Sequence, residues 1–377
     1  MRRRQFLETA GKAAAGLGLL PAAAVACSDR GSQAGPLKNW TWVHGGGEAS
    51  PGEWRRRFAR IREAGIDAVL VSGGNDVEGL SGAAHTEGLE FHRWIWTLNR
   101  SGDAWAKENH PEWFTVSRNG ESSLVKPPYV GYYQWVCPTR PPVREYLRRI
   151  VKEIASDPAI DGVHLDYIRH SDVILPVGLW EKYNLVQDRE YPEFDFCYCD
   201  VCRSTFREQT GADPLELPDP TQDVAWREFR WHSVTGLVIE LAETVHAHAK
   251  PITAAVFPTP TLARELVRQA WDQWPLDAFF PMIYHNFYNE DLQWIGTATA
   301  EGVAALAEGT PLYSGLYLPS LSPDQLAAAV RIARGAGAAG VSLFDMGGLT
   351  DAHLTRLKVE LADSRHAGGA WIRSRGK

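Results

Sequence analysis

Short apolar runs alternate along the chain with longer segments of helical period. The run 39–44 (NWTWVH) reads as a first strand. Its helix spans 51–64, where Trp54, Phe58 and Ile61 fall at i, i+4 and i+7. Strands follow at 68–72 and 90–98, with a short, Gly-rich helix at 77–88 between them. A helix at 143–155 carries Leu147, Ile150, Val151 and Ile154 on one face, and strand four is 162–168 (GVHLDYI). An irregular insert, residues 171–223, comes next. Beyond it lie a helix at 226–248, a strand at 252–257, a helix near 262–271 and a strand at 278–284. Strand seven is 311–317, followed by a helix at 323–336, strand eight at 340–344 and a last helix at 351–361. Strands alternating with helices predict a parallel sheet covered by helices. Eight such strands predict an α/β fold, a (β/α)8 TIM barrel with a Cys-containing insert after strand four.

The composition agrees with a globular body: 377 residues, 44% hydrophobic and 23% charged. It excludes a disordered, collagenous or disulfide-dense chain. The net charge of −7 includes a basic N-terminus, so the body is more acidic still. Nucleic acid and anionic membrane are excluded as main partners. The basic start (Arg2, Arg3, Arg4) and the Ala/Gly/Leu run after it form an export signal over residues 1–27. Arg3-Arg4-Gln5-Phe6-Leu7 resembles the twin-arginine motif, and Ala24-Val25-Ala26-Cys27 resembles a lipobox with Cys27 as the lipidated residue. Residues 28–37 read as a tether, 38–365 as the barrel with its insert, and 366–377 as a tail. The expected location is periplasmic or at the cell surface, with membrane contact only through the lipid anchor.

In a barrel of this kind the chemistry sits at the C-terminal strand ends and the loops that follow. Side chains alternate along a strand, so His164 and Asp166 share one face of strand four. A carboxylate within a strand is costly unless paired, and Arg169 is the expected partner. Strand six leads into Tyr284, His285, Asn286 and Glu290, and strand eight into Asp345. Strand one ends at His44 and three glycines, whose spacing is not that of a phosphate-binding loop. Trp40, Trp42, Trp94, Trp96, Trp135, Tyr132 and Tyr133 crowd the same region, and flat rings of this kind stack on sugars as well as filling cores. Trp96 and Asn99 are the expected cleft-facing residues after strand three.

Cys197, Cys199 and Cys202 form a C-x-C-x-x-C motif in the insert, with Cys137 standing alone upstream. Four thiols suit one structural zinc site or two disulfides, and free thiols are the third reading. Adjacent-but-one cysteines rarely bridge each other.

Several stretches together resemble the glycosyl-hydrolase-like family ten of bacterial barrel proteins. They are His110-Pro111-Glu112-Trp113, then Asp161-Gly162-Val163-His164-Leu165-Asp166-Tyr167-Ile168-Arg169, and Asp277-Ala278-Phe279-Phe280-Pro281-Met282-Ile283-Tyr284. The cysteine motif with Arg203 and Phe206 belongs to the same resemblance. It implies a (β/α)8 fold, a carbohydrate substrate and an important acid at Asp166. Glycosidic cleavage uses two carboxyls across the scissile bond. Asp166 is the expected nucleophile or base, with Asp345 as partner and Glu290 as the alternative. His44, Trp96, Asn99, His164, Arg169, Tyr284 and His285 are the expected substrate contacts or orienting groups. No cofactor is expected in catalysis. Two other readings stay open: a carbohydrate-binding lipoprotein without turnover, and a metal-dependent hydrolase using His44, His92, His164 and His285 with Asp345.

Overall fold

A computed structural model describes residues 37–361. The export signal with Cys27, nearly all of the tether, and the tail fall outside the described residues. Eight parallel strands run in the order β6-β5-β4-β3-β2-β1-β8-β7. They are β1 Trp40–His44, β2 Ala68–Ser72, β3 Glu90–Trp96, β4 Gly162–Asp166, β5 Ile252–Val256, β6 Ala278–Pro281, β7 Tyr313–Tyr317 and β8 Gly340–Phe344. The ring closes between β6 and β7 through bridges Phe279–Leu312 and Met282–Gly315. A Cβ on Gly315 would stand 2.6 Å from the Pro281 carbonyl oxygen, so a side chain there would force this seam apart. The architecture is the (β/α)8 barrel that the strand–helix alternation predicts.

The helices are α1 Pro51–Glu63, α2 Val77–Thr86, α3 Ala104–Asn109, α4 Pro141–Ser156, α5 Asp200–Thr210 and α6 Val224–His246. After them come α7 Pro260–Val267, α8 Trp294–Ala305, α9 Pro323–Gly335 and α10, residues 351–361. Local chemistry starts several of them. Ser50 and Glu53 close a capping box on α1, as Ser322 and Gln325 do on α9. Asp76, Asp223 and Thr259 cap α2, α6 and α7 with their side chains. Among the described residues no helix is long and apolar enough to cross a membrane.

Strand alternation divides the core in two. Thr41, Val43, Val69, Val71, Val163 and Leu165 point outward, and the aliphatic ones among them pack under the helices. Trp40, Trp42, Leu70, Trp94, Phe280 and Tyr313 fill the barrel itself. Trp42 meets Trp94 edge-on at 4.7 Å and donates its indole N–H to Ser342 Oγ at 2.8 Å. This aromatic plug makes the barrel a packed core and leaves its C-terminal mouth as the place for a cleft.

Candidate active site

Asp166 is the last residue of β4 and points inward, on the face it shares with His164. Two donors hold its carboxyl group: the Tyr167 N–H to Oδ1 at 2.7 Å and the Trp94 indole N–H to Oδ2 at 3.1 Å. Tyr167 has φ of +50°, a left-handed conformation that costs a residue with a Cβ. Burial pushes the Asp166 carboxyl up to about 6, against the two hydrogen bonds and the more distant positive charge of Arg169. A carboxyl poised there changes charge close to neutral pH, as acid–base catalysis requires.

The carboxyl group lines a cleft of about 290 Å³ at the C-terminal mouth. Strand ends supply Trp42, Phe257, Tyr284, Tyr317 and Phe344. The loop after β3 supplies Tyr129, Tyr132 and Tyr133, and the insert supplies Asp172, Lys182 and Tyr183. Burial, with the charge of Asp172, pushes the Tyr129 and Tyr133 hydroxyls up, so they stay neutral, and Tyr129 donates to the Asp172 carbonyl at 3.0 Å. Tyr284 is raised by burial and then by Asp166, Tyr317 and Asp345, which places its ring within the field of both acids. Aromatic faces beside neutral hydroxyls and few charges suit a polyhydroxylated, uncharged ligand.

Asp345 sits at the end of β8, where its Oδ1 accepts from the Gly347 N–H at 2.7 Å. Its Oδ2 lies 3.9 Å from His44 Nε2, at the rim rather than in the cleft wall. His44 is exposed and packs against Trp94 at 5.1 Å.

Several expected contacts lie elsewhere. Arg169 does not pair with Asp166. Its guanidinium reaches Asp172 Oδ2 at 3.0 Å and the His170 carbonyl at 2.9 Å, over the rings of Trp135, Tyr167 and Phe257. It still lines the cleft, as half of a buried ion pair. His164 belongs to the barrel core: it is fully buried between Trp42 and Phe280, and its Nδ1 is 2.8 Å from Thr253 Oγ1. Asn99 is also buried, its Oδ1 accepting from the Ser101 N–H at 3.1 Å, so it shapes a turn instead of facing the cleft. Trp96 is half-buried and backs two cleft residues, Tyr167 at 5.0 Å and Tyr132 at 6.0 Å. Glu290 is exposed on the loop after β6, and neither it nor His285 lines the cleft. Among the described residues, no three of His44, His92, His164, His285 and Asp345 approach closely enough to share an ion. The four cysteines do converge.

Asp172, Lys182 and Tyr183 escaped the sequence reading because the insert has no periodicity from which to place them. Tyr317 and Phe344 were within reach, since each is an inward-facing strand end by the alternation that singled out Asp166.

Solved structures on which this chain superposes include glycoside-hydrolase barrels. It is similar to the PgaB (BpsB) glycoside hydrolase domain from Bordetella bronchiseptica, with a TM-score of 0.61 and 13% identity over 85% of this chain and 98% of that one. The catalytic domain of β-amylase from Paenibacillus polymyxa gives 0.59 and 10%, over 86% and 98%. The GH36 α-galactosidase AgaA from Geobacillus stearothermophilus gives 0.52 and 13%, with 89% of this chain spanning 42% of that protein. No protein-family model matches the chain, and no curated protein matches it in sequence. At these identities the likeness is one of fold.

Proposed function

We propose that the protein is a glycoside hydrolase whose working carboxyl is Asp166. The observation that carries this reading is the Asp166 carboxyl group itself. It sits on an aromatic cleft at the C-terminal mouth, held by two N–H donors and raised by burial to about 6. Both donors favour the ionised form, so Asp166 acts as nucleophile or as base for water. Asp345, just past the end of β8 on the rim of the same mouth, is the partner acid of this reading. His44 stands beside Asp345 at the rim, Nε2 3.9 Å from Oδ2. Tyr284 would bridge the two acids through a substrate hydroxyl. On the sequence resemblance and the N-terminal motifs, the proposal adds membership of glycosyl-hydrolase-like family ten, export through residues 1–27 and anchoring at Cys27.

One observation favours a second reading, in which the barrel binds carbohydrate without cutting it. Asp172, the other carboxylate in the cleft wall, is committed to Arg169. Incubating the purified protein with a panel of oligo- and polysaccharides separates the two. The hydrolase reading expects new reducing ends on at least one member, and their anomeric configuration by NMR then gives the stereochemistry. Saturable binding with no product after prolonged incubation would establish the second reading instead.

A further inference from the structure

Away from the cleft, four cysteines from two distant stretches of chain meet in one buried cluster. Cys137 follows the loop that carries Tyr129, Tyr132 and Tyr133. Cys197 and Cys199 precede α5, and Cys202 lies in its first turn. All four are buried, and their sulfur atoms lie within 4.8 Å of one another. Cys137 Sγ is 3.4 Å from Cys202 Sγ and 3.7 Å from Cys199 Sγ.

These separations discriminate between the chemistries open to four thiols. A disulfide requires about 2.05 Å between sulfurs. Four thiolates at about 2.3 Å from a tetrahedral zinc ion stand about 3.8 Å apart. The surroundings also suit negative sulfur. The Val116 N–H points at Cys197 Sγ from 3.4 Å, and Cys199 stands at the N-terminal boundary of α5, the positive end of the helix dipole. Arg140, three residues after Cys137, pairs with Asp200 beside Cys199, and its Nε–H is buried without a partner. A shell of Phe196, Tyr198, Phe206, Trp226 and Phe229 keeps water away.

We propose that Cys137, Cys197, Cys199 and Cys202 bind one zinc ion as a closed, structural four-thiolate site. On binding, the thiols release their protons to solvent and all four positions on the ion are filled, so none is left for substrate. The ion would clip the loop after β3 to the insert after β4. Both segments furnish cleft wall, Tyr129 to Tyr133 on one side and Asp172 to Tyr183 on the other.

The test uses the full chain carrying Cys27→Ser, which leaves only these four thiols, purified from zinc-supplemented cells. Elemental analysis is expected to give one zinc per chain. Thiol titration should show four slow groups that become fast once a chelator removes the metal. Chelation should also lower Tm and expose residues 116–137 and 171–202 to protease before the barrel is cut. Cys137→Ser should lose most of the zinc. Metal-free protein with four reactive thiols, a mass deficit from disulfide formation, or an iron–thiolate absorbance would each overturn the proposal. None of these readouts depends on turnover, so the site stands or falls apart from the hydrolase reading.

Discussion

Asp166 carries an energetic cost that the proposed chemistry would explain. Its carboxyl is raised from an ordinary value near 4 to about 6 because burial removes solvent from the charged form. Between those two pH values the folded protein holds a proton that the unfolded chain has released. This group's contribution to stability therefore falls as pH rises through that window. Relative to wild type, Asp166→Asn is expected to gain up to about 3 kcal/mol on going from pH 4 to pH 7, offset equally at both by the amide NH2 that meets one of the two N–H donors. Denaturant titration of both proteins at pH 4 and pH 7 checks this difference. If Asp166 works ionised, kcat/KM should fall tenfold per pH unit below a midpoint near 6. A flat profile from pH 7 to pH 5 would remove it from catalysis. Strand alternation was enough to assign this residue's inward direction. It could not separate His164 from Asp166, because both face inward and only depth in the barrel decides which one meets solvent.

At the scale of elements, the insert after β4 does more than decorate the barrel. It supplies Asp172, which neutralises Arg169 beneath the cleft, with both side chains almost wholly buried. Asp172→Asn would leave a buried guanidinium without its counter-charge and should cost about 3–5 kcal/mol in a denaturation series. A cost below 1 kcal/mol would mean that solvent reaches the pair. This pairing was not legible in the sequence, because the spacing of Arg169 to Asp166 equals that of Arg169 to Asp172. In the folded chain, which turns through a left-handed residue at Tyr167, Arg169 pairs with Asp172. Helix α8 was missed for a different reason. It buries Ile295, Ala298, Thr299 and Gly302 at helical spacing, but mostly with small side chains whose periodicity is faint. They are small because the helix packs tightly: a Cβ at Gly302 would lie 2.7 Å from Leu312 and 3.2 Å from Trp271. Gly302→Val is expected to destabilise the barrel by about 1–3 kcal/mol, read as a shift in denaturation midpoint.

For the whole molecule, the division of labour follows from the barrel's polarity. Caps, outward aliphatic residues and the aromatic plug build the scaffold. The loops at the C-terminal mouth furnish much of the cleft wall. The scaffold was legible because period two and period 3.6 repeat along it and eight strands leave few topologies. The cleft was half legible: its strand-end residues follow the alternation, whereas its loop residues depend on folding of segments that have no period. The most direct measurement is turnover by wild type and Asp166→Asn side by side, on whichever glycan of the panel yields reducing ends. The account predicts that the variant folds and binds that glycan but releases product at least about 10³-fold more slowly. Turnover within threefold of wild type would contradict it.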